Sequence, residues 1–168
     1  YTGGEGLDTA SALTDDMPQA ATLGPNVVLL EIGANDVLDY EDNPSFTTAT
    51  TETNLENLIQ GFASNDPGVI ILMATAPRFL STPGPGQKQA NSEIAKVNNA
   101  IHKAASVEKK AGVDVVVVNL GGYNPRTDTS DGTHPNVKGE QYIAKQFFNA
   151  LRPALKRMGV TPQKKNKK

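Results

Sequence analysis

The sequence contains no cysteine, which excludes disulfides, thiolate nucleophiles and any zinc or iron–sulfur site built on sulfur ligands. It has no apolar run near the ~18 residues that a membrane-spanning helix needs. Neither sign of charge dominates. Sixteen Lys and Arg face 18 Asp and Glu, for a formal net charge of −2, so the balance points to neither nucleic acid nor an anionic membrane as partner. No signal peptide is visible, and the first residue is Tyr1 rather than Met, so the expectation is that the natural start has been removed. Localisation stays open, leaning towards a secreted setting.

What is present describes one folded domain. A chain of 168 residues can bury one sizeable core but is short for two. Apolar residues at 38% and charged ones at 20% belong to a globular protein rather than a disordered one. The domain is expected over 1–158, with 159–168, including Lys164-Lys165-Asn166-Lys167-Lys168, as a basic flexible tail.

Three short apolar runs, Val27 to Ile32, Val69 to Met73 and Val113 to Val118, are continuous rather than alternating. That pattern suits strands covered on both faces of a parallel sheet. Helical periodicity fills the gaps. Leu55, Leu58, Ile59 and Phe62 recur on one face before Asp66-Pro67-Gly68, and Ile94, Val97, Ile101 and Ala105 do so within Gln87–Lys110. Tyr142, Ile143, Phe147, Leu151 and Leu155 line a last helix, and 8–21 can form a first one. The order α-β-α-β-α-β-α predicts an α/β fold: a three-layer α/β/α, flavodoxin-like parallel sheet with helices on both faces. Three strands are few for this class, and a helix precedes the first. The expectation is therefore that an N-terminal βαβ unit of roughly 30 residues or more belongs before Tyr1.

In open α/β sheets the functional residues collect in loops at the carboxyl ends of the strands. Gly33-Ala34-Asn35-Asp36 follows the first strand and Thr75-Ala76-Pro77-Arg78 the second. Asp131-Gly132-Thr133-His134-Pro135-Asn136 ends the long loop after the third. A histidine acting as general base needs an acceptor on its second ring nitrogen, and Asp131 stands three residues before His134. Taken alone, that pattern reads first as helix N-terminal capping with an incidental histidine. An asparagine just past a buried strand can offer its amide to an oxyanion. Taken alone, Gly33-Ala34-Asn35-Asp36 is equally a plain turn in which Asp36 caps the next segment. A zinc site has too few ligands here, and His102 lies on a separate helix as a surface residue.

Together these segments resemble the third and fifth sequence blocks of the SGNH (GDSL-like) hydrolase superfamily. Gly6, within Gly3-Gly4-Glu5-Gly6-Leu7-Asp8-Thr9, is similar to the glycine of the second block. The resemblance covers essentially the whole chain, and it implies carboxylic ester hydrolysis through an acyl-serine intermediate with no cofactor or metal. It makes His134 the base, Asp131 its orienting carboxylate, and Asn35 and Gly6 oxyanion donors. The loop before Asp131 is similar to carbohydrate acetyl esterases, including acetylxylan esterases, so the expected substrate is a small ester or an acetylated carbohydrate.

The family's first block, Gly-Asp-Ser, occurs nowhere in the sequence. Ser11, Ser81 and Ser130 are each expected to be structural. The nucleophile is then expected outside this chain, with a separate N-terminal fragment of the same protein as partner. The alternatives are a catalytically inactive ligand-binding domain and an enzyme using a displaced serine. Without a strand beside Val27–Ile32 that edge is apolar and open to pairing. The isolated chain is therefore predicted to be marginally stable or to self-associate; a monomeric, cooperative melt well above ~65 °C would contradict this.

Overall fold

A computed structural model describes residues 8–37, 47–80 and 85–160. Gly6, Ser81 and the tail from 161 onward lie outside the described residues. A helical segment comes first: α1 (Thr9–Ser11), a π-helical turn (Ala12–Asp16) and α2 (Met17–Thr22). Strand β1 (Val27–Leu30) follows, then α3 (Thr48–Asn65), β2 (Ile70–Ala74) and α4 (Pro85–Lys110). Strand β3 (Asp114–Val118), the short α5 (Pro125–Asp128) and α6 (Val137–Arg157) complete the domain. The three strands lie in the order β1-β2-β3. All pairings are parallel, with Val27 opposite Ile70 and Ile70 opposite Asp114.

Crossovers of one hand that step in one direction along a sheet must lie on one face. Accordingly α3 and α4 cover the same face, together with the segment 9–22. Leu55, Leu58, Ile59, Ile94, Val97 and Ile101 are the residues that this layer buries against Ile71, Met73 and Val115 of the sheet. Helix α6 covers the opposite face, where Phe147 and Ala154 meet Ile70, Leu72, Ala74 and Val118. Two of the long helices begin where the sequence supplies a side-chain cap. Thr47 and Thr50 exchange hydrogen bonds in a reciprocal capping box at α3, and Asn136 caps α6 by accepting from Lys138 and Gly139 N–H.

The expectation that all three apolar runs are covered on both faces holds most fully for β2, every residue of which is buried, and β3 also sends residues into both layers. Helix α6 passes over β2 and β3, so Leu29 of β1 is left 54% exposed. β1 is an outer strand of the described sheet, with Val28 and Leu30 packed into one layer and Val27 into the other.

The turn after β1 is tied down from below. Asp36 is fully buried. One of its carboxylate oxygens accepts from Thr9 N–H (3.0 Å), and the other accepts from the hydroxyls of Thr9 (2.6 Å) and Thr51 (2.8 Å). Asp36 thus anchors the start of α1, whose N-cap is Asp8, and joins it to α3; the next segment, which Asp36 is expected to cap, extends outside the described residues. Asn54 adds a bond to the Thr9 hydroxyl at 3.1 Å. A buried carboxylate with matched donors loses all of them at once on truncation. Asp36→Ala is therefore predicted to lower the stability of the chain by about 2–4 kcal/mol, seen as an earlier urea midpoint. A loss below ~0.5 kcal/mol would show that the network carries no weight.

Candidate active site

The long loop after β3 is built from its base upward. Asn124 caps the four-residue α5 by accepting from Arg126 N–H. The chain then folds back on Asp128, whose buried carboxylate accepts from Asn124 N–H (2.9 Å) and the Thr127 hydroxyl (2.7 Å) and pairs with Lys138 Nζ at 2.7 Å. These donors, Lys138 foremost, push the Asp128 carboxyl down to about 2. Its main-chain carbonyl is also engaged, accepting from the Tyr123 hydroxyl (3.0 Å) and from Asn136 N–H (3.0 Å). Tyr123 is pushed up to about 12 by burial first, then by Asp128, Glu31 and Asp131, so at neutral pH it remains a donor. Gly139, in the first turn of α6, closes the stack. A Cβ there would stand 2.0 Å from the Asp128 carbonyl oxygen, so only glycine lets the helix approach.

On this base sits the turn that holds Asp131 and His134. Thr129 and Pro135 bridge its two ends, and Asn136 Nδ2 donates to Thr127 O (3.1 Å) and Thr129 O (2.8 Å). Gly132 has φ +94°, and a Cβ there would also stand 2.9 Å from Leu80 Cβ. Both its backbone and its surroundings therefore call for glycine. Asp131 curls towards the inside of the turn. One carboxylate oxygen accepts from Thr133 N–H (2.9 Å) and His134 N–H (2.8 Å), and the other lies 2.6 Å from His134 Nδ1. The imidazole bond first, and the two backbone donors next, hold the Asp131 carboxyl well below the usual carboxylate range. A carboxylate can only accept, so Nδ1 carries the proton and Nε2 is the basic nitrogen. The His134 side chain is 77% exposed, open to an approaching reactant.

The segment does lead into a helix capped by Asn136, while Asp131 gives its oxygens to Thr133 N–H and to His134. Ser130 donates both its N–H (2.9 Å) and its hydroxyl (3.3 Å) to the His134 carbonyl, which ties it to the backbone of the turn. Ser11 sits inside α1, and His102 is exposed on α4.

After β1, Gly33 turns the chain at φ +102°, with Val97 of α4 against the place a Cβ would occupy, 2.9 Å away. Asn35 follows at the lip of a cleft of about 130 Å³ lined by Ile32, Gly33, Ala34, Ala76 and Pro77, with Glu31 at its margin. Asp131 and His134 are thus in direct contact, whereas Asn35 connects with them through the loop after β2, which shares its cleft and reaches Gly132. Gly6 lies outside the described residues. Among the described residues no three His, Asp or Glu side chains converge as metal ligands. Sequence reasoning overlooked Tyr123, Asp128 and Gly139. A glycine three residues after the capping Asn136 was the available signal, since glycine is unfavourable inside a helix unless something must come close.

Comparison with known proteins bears on this geometry. The GDSL-like lipase/acylhydrolase family model matches residues 2–142. A multidomain esterase of Ruminococcus flavefaciens is 28% identical over 133 residues, which are 79% of this chain and 16% of that protein. Among solved structures, a carbohydrate esterase family 3 protein from Talaromyces cellulolyticus superposes with a TM-score of 0.74 at 20% identity, over 93% of this chain and 70% of that one. A Clostridium thermocellum family 3 carbohydrate esterase gives 0.72 at 24% identity, over 95% and 72%. The three parallel strands flanked by helices therefore belong to the fold of these hydrolases.

Acid should dissolve the turn late. Asp128 and Asp131 are both depressed below their ordinary 3.8, so the stability they contribute is fully present above that value and is lost as pH falls through the lower, folded ones. The side-chain carboxyl ¹³C signals of Asp128 and Asp131 are predicted to stay at their ionised positions down to about pH 4 and to move only as pH approaches about 2. Movement of both centred above pH 4, monitored by NMR, would contradict the assigned bonds.

Proposed function

Because the chain belongs to the GDSL-like lipase/acylhydrolase family, we propose that it supplies the base and oxyanion groups of a serine carboxylic ester hydrolase that deacetylates a carbohydrate. The observation that carries this reading is the Asp131–His134 pair, whose 2.6 Å contact at Nδ1 makes Nε2 the basic nitrogen of a side chain that is 77% exposed. In the proposed reaction a serine hydroxyl adds to the ester carbonyl carbon while His134 Nε2 takes its proton, and Asp131 stabilises the imidazolium formed. The Asn35 amide and Gly6 N–H donate to the oxyanion. Collapse returns the proton to the departing sugar oxygen and leaves an acyl-serine. A water deprotonated by His134 then releases acetate and restores the serine.

A carbohydrate ester is supported by the names of the two structural neighbours, both carbohydrate esterases, and a small acyl group such as acetyl by the small cleft walled by Ala34, Ala76 and Pro77. Since Gly-Asp-Ser is absent and Ser130 is tied to the turn, the nucleophile in this reading comes from a segment outside these residues. One observation favours a second reading. The same absence of Gly-Asp-Ser suits a domain that binds an ester or sugar without turnover.

Labelling with a fluorophosphonate followed by intact-mass spectrometry separates the two, with release of acetate from an acetylated xylo-oligosaccharide as the activity readout. Label on a serine outside these residues, with hydrolysis lowered ~10³-fold or more by His134→Ala, is the expected result. Label on this chain would overturn the external nucleophile. Neither label nor hydrolysis, with the oligosaccharide still bound, would establish the binding domain instead.

A further inference from the structure

The loop after β2, Thr75 to Leu80, carries none of the groups that the proposed reaction uses, yet it touches the loops on both sides of it. Ala76 and Pro77 wall the cleft beside Asn35. Leu80 donates its N–H to Gly132 O at 2.6 Å, and its side chain occupies the space beneath Gly132. Two asparagines of α4 hold this loop, each by both halves of its amide. Asn98 Oδ1 accepts from Ala76 N–H (2.7 Å) while its Nδ2 donates to Ala76 O (3.0 Å). Asn91 does the same to Phe79, at 3.1 and 3.0 Å.

An amide side chain used this way imitates a neighbouring strand, satisfying the N–H and C=O of one residue together. The spacing fits as well. Seven helical residues separate Asn91 from Asn98, a rise of about 10.5 Å. Three extended residues separate Ala76 from Phe79, about 10 Å. The helix therefore acts as a ruler that holds the loop straight, and Leu80 at its end meets the catalytic turn at a set height.

We propose that Asn91 and Asn98 are positioning residues for the Asp131–His134 pair, acting through the Leu80–Gly132 contact. This rests on the reading of that pair as the base. Only asparagine suits the role: aspartate lacks the donor, and glutamine is one methylene too long for the same reach.

The test uses the full chain carrying Asn91→Asp or Asn98→Asp, with Asp114→Asn as a control that weakens the Arg157 ion pair at the opposite end of β3. With two histidines in the sequence, long-range ¹⁵N–¹H spectra near neutral pH resolve both rings, His102 serving as internal reference. The expected result is amide exchange at Leu80 faster by about tenfold or more, with His134 shifting from the Nδ1–H tautomer towards a mixture while His102 stays in place. The control is expected to lower the melting temperature and to leave His134 unchanged. His134 spectra in both variants that match the parent chain, whatever the melting temperature, would overturn the proposal. Where Asn98→Asp fails to fold, Asn91→Asp alone decides, since its clamp grips the far end of the loop. A parent chain whose His134 tautomer is indifferent to Asp131→Asn would instead sink the base reading, and this proposal with it.

Discussion

The candidate site depends on one close approach between two pieces of backbone. Helix α6 comes so near to Asp128 that Gly139 has no room for a side chain beside the Asp128 carbonyl. Once the two are that close, the rest of the loop has few choices. Asn136 can cap the helix with its oxygen while its amide nitrogen holds Thr127 and Thr129. Tyr123 is buried with its hydroxyl on the same carbonyl. The Asp131–His134 turn is then the part of the loop left to face solvent, and the rigid part beneath it is almost wholly hydrogen-bonded. A catalytic pair held by packing and backbone bonds needs little reorganisation at the moment of reaction.

The three loops at the carboxyl edge of the sheet are joined by different physical means. The first is anchored by a buried carboxylate, Asp36, which reaches α1 and α3. The second is straightened along α4 by side-chain amides, and the third is stacked on α6 through glycine. Each anchor is polar, buried or half-buried, and internally matched. Such groups contribute definition more than net stability, because much of what they gain is offset by the water they give up. The stability of the domain resides instead in the apolar layers, with β2 buried throughout and Leu55, Ile59, Val97 and Ile101 wholly inaccessible.

That division explains the uneven condition of the sheet. β2 is covered on both faces and paired on both edges. β1 is paired on one edge, and its Leu29 stands largely in solvent. An apolar outer strand adjoining the Asn35 turn means that whatever pairs with β1 comes to lie near the candidate site.

The sequence by itself determined the class of fold and the chemical inventory. Continuous apolar runs separated by one-faced helical periods are read from neighbouring residues, and strand bounds came within one or two positions of those observed. Asp131 and His134 were legible because they are three residues apart and their contact is made within a single turn. The family blocks pointed to Asn35, a residue soon after a strand, and it lines the cleft there. What only the tertiary structure decided involves partners distant in sequence: Asp36 with Thr9 and Thr51, Leu80 with Gly132, Asn98 with Ala76, and Gly139 with Asp128. Nothing local distinguishes Asn91 or Asn98 from the other asparagines of the chain. Their roles exist only once a helix rise of about 1.5 Å per residue is laid beside an extended segment of about 3.3 Å per residue. Exposure at β1 was likewise decided by where α6 crosses the sheet, a matter of packing between elements that no window of sequence contains.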